Sequence, residues 1–217
     1  MMDISLSDMT ARWLRTTAWW GAPEASRRAV VEELLGRYGE PHRRYHTAEH
    51  LAEVLTALDA PDRFIAVEVA AWFHDAVYDA RAPAGANERA SAQLAARLLR
   101  PLGAPDDTVA EAGRLIELTA GHAVAPGDVP GGVLADADLW ILGSPASRYQ
   151  RYAADVRAEY DHLSDDEWRA GRSAVVVRFA ARPRIYVTEP AHRALDAPAR
   201  SNLAWELAAL GRGQAQP

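Results

Sequence analysis

The sequence predicts an all-α fold, and three observations lead to this prediction. Apolar residues recur every three or four positions along most of the chain, as on one face of an amphipathic helix. Glycine and proline residues interrupt this pattern, and each stretch between two interruptions is about as long as one helix. The only β-like run, residues 185–187, is too short for a sheet. Without an internal repeat or a clear linker, the 217 residues are expected to form a single domain, 1–217.

The first four helices are predicted from their apolar stripes and their end signals. Residues 6–14 and 30–38 each carry such a stripe, and each stripe stops at a break rich in glycine and proline. Thr47 is the expected N-cap of a third helix. Pro61-Asp62 starts a fourth, which carries apolar residues to Val77 around most of its circumference. We therefore expect this fourth helix to be central and buried.

The second half of the chain continues the helical pattern. Asn87 is the expected cap of a helix that ends near residue 99. Residues 121–132 lack periodicity and hold several glycines and prolines, which is typical of a loop that covers a site or lies on the surface. Further helices are expected at residues 107–119, 136–142, 145–160, 165–182 and 195–210.

Composition excludes several classes of function. The net charge of −6 argues against broad binding to duplex nucleic acid, which favours basic surfaces. Without cysteine there is no disulfide or thiolate zinc site, so any metal must bind His, Asp or Glu. The chain has no lysine, so no Schiff base can form on it. The sequence shows neither a signal peptide nor a run long enough to cross a membrane, which favours a cytoplasmic location.

Three otherwise apolar segments carry imidazole and carboxylate groups. They contribute His50, the pair His74-Asp75, and Asp138. Burying a polar group destabilises the folded protein unless the group is hydrogen-bonded, paired with a charge or bound to an ion. Imidazole and carboxylate groups are the types that commonly bind metal ions. Mixed imidazole and carboxylate ligands suit Mn, Fe, Co, Ni or Zn better than Ca, and Mg remains among the candidate ions. The pattern predicts a metal-dependent hydrolytic site.

Helical spacing indicates how these groups meet. His74 and Asp75 are expected on one helix, about 100° apart around its axis, so both can reach one ion. His46 lies four residues before His50 and shares its face if the helix extends back that far.

The order of these motifs resembles the HD-domain phosphohydrolase superfamily, in particular the family described as predicted metal-dependent HD phosphohydrolases. The first segment also resembles the YHNxxH segment of cyclic nucleotide phosphodiesterases, with Thr47 in place of Asn. The motifs span most of the chain: YHTxxHL at 45–51, WFHDxVYD at 72–79, NExxS at 87–91, TxxH at 119–122, DADLxILG at 136–143, YxxYxxxVRxEY at 149–160 and ARxNLxxEL at 199–207.

The resemblance implies an HD-type helical bundle, with a metal-site core at about 40–145 and a C-terminal helical extension at about 145–217. It implies that the principal metal ligands are His50, His74, Asp75 and Asp138. Asp136 is the competing last ligand. Asp138 is preferred because the second acid is usually the ligand in the superfamily, and Asp136 would then cap the helix.

Three residues are candidates for proton transfer. His46 matches the phosphodiesterase position that protonates the leaving oxygen, and the alternative is a structural histidine bonded to a carboxylate. Asp79 follows the His-Asp pair closely enough to accept a proton from the attacking water, as does Glu88. Alternatively, these two acids hold Arg81 or Arg89.

Glu88 and three further residues are candidates for substrate or second-metal binding. His122 could ligate a second ion, as in binuclear relatives, donate to phosphate, or lie in a surface loop. Arg43 and Arg44 precede the first motif and either contact phosphate oxygens bidentately or belong to a solvated loop.

These expectations combine into a hydrolase with one or two divalent ions, acting on a phosphomonoester or phosphodiester of a small nucleotide-like substrate. Two alternatives stay open. One is a nucleotide-binding or regulatory module with little turnover. The other is a di-iron oxygenase, which needs more histidines between the His-Asp pair and the last Asp than His122 alone. Neither the particular substrate nor the oligomeric state follows from the sequence.

Overall fold

The computed structural model describes residues 5–58 and 64–212, and within these ranges it confirms the all-α prediction. The described residues contain no β-strand, and residues 185–187 form an irregular connection. The helices are α1 Leu6–Thr16, α2 Glu24–Tyr38, α3 Ala48–Ala57, α4 Ile65–Phe73, α5 Ala86–Leu99, α6 Asp106–Thr119, α7 Val129–Asp138, α8 Ala146–Glu159, α9 Asp165–Ala180 and α10 Glu189–Arg212. Short 3-10 turns are Ala18–Trp20, Arg100–Leu102 and Leu139–Gly143.

The chain forms two compact units, Met1–Asp138 and Leu139–Pro217. The first holds α1 to α7 and the second holds α8 to α10. Their boundary lies between residues 138 and 139. The single domain and the change from core to extension near residue 145 stay predictions from the sequence. None of the helices in the described ranges is both long enough and apolar enough to cross a membrane.

Helix α4 is the centre of the first unit, as its apolar circumference predicted. All residues from Val67 to Phe73 are buried, and α4 packs against α3, α5, α6 and α7. Trp13 of α1 meets it edge-on, with ring centroids 5.5 Å from Trp72 and 6.1 Å from Phe73. The predicted start at Pro61-Asp62 lies outside the described residues.

Helix α4 ends earlier than the sequence predicted. Its last residue is Phe73, so His74 is the C-cap and Asp75 lies in the following turn rather than on the same helix. The amide of Ala76 bonds to the Phe73 carbonyl at 3.0 Å, and the amide of Val77 bonds to the Ser91 hydroxyl at 3.0 Å. A side chain of α5 thus takes the backbone donor that would have continued the helix.

Asn87 is not the N-cap of α5, contrary to the prediction. Gly85 occupies that position with a φ of 74°, a left-handed conformation that glycine adopts at little cost. The Asn87 amide instead pairs with the backbone of Asp79, accepting from its N–H at 3.1 Å and donating to its carbonyl at 3.0 Å. Asn87 and Ser91 therefore fix the segment that follows the His-Asp pair.

Helix α7 begins inside the stretch expected to be a loop. An oxygen of Asp128 accepts a hydrogen bond from the amide of Gly131 at 2.9 Å, which satisfies a free donor at the start of α7. Arg114 holds the same carboxylate with two bonds of 2.8 and 3.1 Å. Asp136 was expected to cap a helix that begins at residue 136. It lies instead within α7 and is buried.

The second unit is organised around a buried polar cluster that joins its three helices. Arg172 of α9 bonds to both carboxylate oxygens of Glu206 on α10, at 2.7 and 3.1 Å, and to the Tyr152 hydroxyl of α8 at 3.0 Å. Tyr149 donates to the same carboxylate. The predicted C-terminal helix extends further at its start than expected, from Glu189, and tolerates Pro198.

Replacing Glu206 with Gln should destabilise the protein by roughly 3–5 kcal/mol, because it leaves the Arg172 charge buried without its partner. The matched control is Glu24→Gln in the exposed Arg28–Glu24 pair, which should cost less than about 1 kcal/mol. Urea unfolding followed by far-ultraviolet circular dichroism measures both. Equal stability of the two variants would contradict the structural role of the buried pair.

Candidate metal centre

Three predicted ligands converge in the first unit. Suitable ligand atoms of His50, His74 and Asp75 all lie within 4.8 Å of one another. The two Nε2 atoms of the histidines are 3.2 Å apart. The Asp75 Oδ2 atom is 3.0 Å from Nε2 of His74 and 3.5 Å from Nε2 of His50. This group could hold a metal ion.

Asp138 joins the same cluster from the last position of α7. Its Oδ1 atom lies 3.1 Å from Nε2 of His50 and 3.5 Å from Nε2 of His74. Of the two acids weighed from the sequence, Asp138 is the one whose carboxylate has these contacts with both histidines. The predicted set of His50, His74, Asp75 and Asp138 is thus assembled at one place.

Both imidazole rings face the cluster with Nε2 and contact another group of the protein through Nδ1. His74 Nδ1 lies 2.8 Å from the Ala71 carbonyl, which can only accept, so Nδ1 carries a proton. In the neutral ring this leaves Nε2 with a lone pair directed into the cluster. His50 Nδ1 lies 2.9 Å from the Tyr45 hydroxyl. Metal-bound histidines are typically oriented in this way.

The cluster stabilises positive charge. Burial lowers the pKa of His74, but the charge of Asp75, followed by Tyr38 and Asp138, outweighs it, and the pKa lies well above its usual value. Burial raises the pKa of Asp75, yet His74 and then His46 hold it well below the usual range. The pKa of Asp138 is likewise held low, against burial, chiefly by His74. A cation among these groups is therefore favoured.

Helix ends add to this preference. His74 directly follows α4, and Asp138 is the final residue of α7. The carbonyl end of a helix carries partial negative charge, which favours a nearby cation. His50, by contrast, lies in the first turn of α3. The predicted N-cap of this helix is confirmed, because the Thr47 hydroxyl accepts a hydrogen bond from the Glu49 amide at 3.3 Å.

The site is closed on the histidine side and partly open on the carboxylate side. The side chains of His50 and His74 are 2% and 1% exposed, whereas those of Asp75 and Asp138 are 16% and 13% exposed. A catalytic metal site needs a position that substrate or water can reach, and the carboxylate side offers one.

The donor set fits a divalent transition-metal ion. Ligand atoms bound at about 2.0–2.2 Å from one ion lie about 2.8–3.6 Å from each other. The contacts of 3.0, 3.1, 3.2 and 3.5 Å between the nitrogen and oxygen atoms fall in this range. The chemistry agrees as well, because two imidazole nitrogens and two carboxylate oxygens suit Mn, Fe, Co, Ni or Zn.

His122 approaches the cluster from the end of α6. Its Nε2 atom lies 2.8 Å from Oδ2 of Asp138, the oxygen opposite the one that faces His50 and His74. Its backbone has a φ of 50°, which is uncommon for a residue with a side chain. Its side chain is 13% exposed, so it belongs to the site rather than to an open surface loop. This contact fixes the orientation of the Asp138 carboxylate.

His46 lies beside the cluster but before the start of α3, so the two histidines are not on one helical face as the sequence suggested. Its ring stacks on Tyr78 with centroids 4.1 Å apart and lies 6.0 Å from the His50 ring. Tyr45 packs edge-on against it at 5.0 Å. The loop and the two tyrosine rings therefore hold His46 beside the candidate metal ligands.

The two candidate arginines differ in their surroundings. The Arg43 side chain is 0% exposed and its guanidinium bonds to backbone carbonyls of the site, so a solvated loop is wrong for this residue. Arg44 is exposed and folds back on its own loop, with Nη1 3.0 Å from the Pro41 carbonyl.

The two candidate acids lie beyond the cluster. Asp79 is exposed, and its Oδ1 accepts from the backbone amide of Arg81 at 2.8 Å, which stabilises the turn. Glu88 is partly exposed in the first turn of α5. Their predicted roles as proton acceptors stay predictions.

Several residues that orient the site were not predicted from the sequence. Tyr45 and Tyr78 belong to the two motifs, and they contact His50 and His46 respectively. Ser91 and Asn87 carried no assigned role in the site, yet they anchor the chain after Asp75. For Tyr45 a signal was present, because a hydroxyl five residues before a buried histidine at a helix start is well placed to bond its ring.

Comparison with known proteins gives no relative. No protein-family model matches the chain, and neither a curated protein nor a solved structure is significantly similar to it.

Asp75→Asn should abolish metal binding while leaving the helical content unchanged, because it removes a charged ligand but keeps the size of the side chain. The control is Asp166→Asn, at a carboxylate that is 93% exposed on α9. Metal content by mass spectrometry and helicity by circular dichroism test this. A full metal complement in Asp75→Asn would exclude Asp75 as a ligand.

We expect the wild type to bind one ion per chain, with His122 orienting Asp138 rather than binding a second ion. His122→Asn is the suitable variant, since Asn tolerates the positive φ. It should keep the stoichiometry and weaken affinity by about 10–100-fold, as loss of an orienting partner does. Isothermal titration tests this. Two ions in the wild type and one in the variant would instead make His122 a ligand.

Proposed function

We propose that this protein is a metal-dependent phosphohydrolase of the HD superfamily, acting on a phosphoester of a small, nucleotide-like substrate. The observation that carries the proposal is the convergence of the His50 and His74 Nε2 atoms with the carboxylates of Asp75 and Asp138 at one partly open point. The order of the motifs along the chain supports the choice of reaction.

His50, His74, Asp75 and Asp138 would hold the ion. A divalent ion bound there would supply an activated water and neutralise negative charge on a phosphoryl oxygen. The chain contributes the orientation of the ligands. Ala71 and Tyr45 fix the two imidazole rings through their Nδ1 atoms, so that both Nε2 atoms face the same point.

His46 is the proposed donor of a proton to the departing oxygen. Its ring is near the candidate ligands, at 6.0 Å between the centroids of His46 and His50. Stacking on Tyr78 restricts the orientation of the ring. A general acid needs this combination of proximity and fixed direction.

The substrate class follows from charge and from the resemblance. A chain with a net charge of −6 is poorly suited to a long polyanion, whereas a single phosphoryl group needs only local positive charge. The nucleotide-like part of the proposal rests on the resemblance to HD phosphohydrolases alone.

The direct test is metal analysis of the purified protein, followed by a panel of phosphate esters with Mn, Co, Ni or Mg. We expect turnover that requires one of these ions and is lost with a chelator. Asp75→Asn should be inactive with every ion. A metal-loaded protein that binds nucleotides without turnover would instead support a regulatory module.

A second prediction concerns the leaving group. His46→Ala should keep its metal and lose about 10²–10⁴-fold in activity on an alkyl phosphate, because a poor leaving group needs a proton. The loss on an aryl ester such as p-nitrophenyl phosphate should be much smaller. Steady-state kinetics on both esters measures the ratio.

The matched control is His162→Ala, at an exposed histidine of the second unit. It should behave as the wild type on both esters. Equal losses of His46→Ala on the two esters would mean that His46 positions the substrate, and loss of the metal would make His46 a ligand.

A further inference from the structure

Arg43 is a fully buried cation beside the metal cluster. Its side chain is 0% exposed, which is rare for a charged residue unless its charge is paired and its donors are satisfied. It comes from the loop between α2 and α3, three residues before His46.

The guanidinium joins two segments of the site. Nη1 donates to the carbonyl of Asp75 at 2.7 Å and to the carbonyl of His46 at 3.0 Å. Nη2 donates to the carbonyl of Ala76 at 3.2 Å, and Nε donates to a carboxylate oxygen of Glu40 at 3.1 Å. All three nitrogens therefore bond to protein oxygens. Through Nη1 alone, Arg43 links the backbone of Asp75, a candidate ligand, to the backbone of His46, the proposed general acid.

Two aromatic rings flank the same group. The guanidinium carbon lies 5.4 Å from the centroid of the Tyr38 ring and 5.5 Å from that of the Tyr78 ring. Tyr78 is also the ring on which His46 stacks. A planar group with several fixed donors fits this place, and lysine, a compact ammonium with no planar fork, does not.

The turn that Arg43 holds has no helix to support it. Because α4 ends at Phe73, the carbonyls of Asp75 and Ala76 lie outside its helical hydrogen bonds. The hydrogen bonds that Arg43 donates to these carbonyls replace the helical hydrogen bonds. They fix the backbone that carries the Asp75 carboxylate. The contacts with His46, Asp75 and Ala76 engage both Nη1 and Nη2 with backbone carbonyls.

We propose that Arg43 is the positioning residue of the metal centre, setting the Asp75 ligand and His46 in register with each other. This inference rests on the metal site of the proposed function. It predicts that metal affinity and the coordination of the ion depend on Arg43, although Arg43 itself contacts neither the ion nor the substrate.

The test is the binding of Co²⁺, followed by its visible absorption spectrum and by isothermal titration. Arg43→Ala should bind Co²⁺ about 10–100-fold more weakly than the wild type, as the loss of a residue that orients a ligand does. Its spectrum should change as well, because a displaced Asp75 alters the coordination. Low millimolar guanidinium chloride should restore much of the affinity and the spectrum, and equal sodium chloride should not.

The matched control is Arg37→Ala, at an arginine of α2 that pairs with Glu33 at the surface. It should bind as the wild type does, with no response to guanidinium. Arg43→Lys retains the charge and should recover only part of the affinity, which separates charge from the geometry of the bonds.

The outcomes separate the two proposals. If the wild type binds Co²⁺ and Arg43→Ala binds it with the same affinity and spectrum, the positioning role is wrong and the metal centre stands. A loss of affinity that guanidinium does not reverse, accompanied by loss of helicity, would assign Arg43 to folding alone and also overturn the positioning role. If the wild type binds no metal, both proposals fail.

Discussion

The candidate site depends on one electrostatic constraint: two buried imidazole nitrogens and two partly exposed carboxylates converge at one point. His74 cannot turn its protonated nitrogen inward, because Nδ1 donates to the Ala71 carbonyl. Its Nε2 therefore faces His50, Asp75 and Asp138 at 3.0–3.5 Å. Such a convergence of carboxylates on imidazole nitrogens favours positive charge, either as a proton on an imidazole or as a bound metal ion. The raised pKa of His74 and the lowered pKa of Asp75 reflect this preference for positive charge.

The surrounding fold supplies what this convergence requires. Residues Val67 to Phe73 of α4 are buried, and they place His74 in the interior, where water cannot compete for it. The helix then stops, because Ser91 binds the amide of Val77 and Arg43 binds the carbonyl of Asp75. The turn that results directs the Asp75 carboxylate toward the partly open side of the site. The burial of His74 and the access to Asp75 thus both depend on where α4 ends.

The sequence predicted the helices and the four clustered residues well, because amphipathic periodicity and polar groups in apolar segments are local signals. It misjudged the end of α4 and the start of α7, since each depends on a distant partner, Ser91 for the first and Arg114 through Asp128 for the second. The burial of Arg43 was equally out of reach, because its acceptors are mostly backbone carbonyls, which leave no trace in the pattern of side chains. The proposed HD assignment rests on the motifs, since no family model, curated protein or solved structure matches the chain.

The most direct test of the metal centre is a crystal of the protein grown with Mn²⁺ or Zn²⁺, examined by anomalous scattering. One strong peak should lie among the Nε2 atoms of His50 and His74 and the carboxylates of Asp75 and Asp138, at about 2.0–2.2 Å from each coordinating atom. The Tyr45 and Ala71 contacts of the two imidazole rings should be unchanged. A map with full protein density but no peak at this point, or with the ion bound by other residues, would contradict the account.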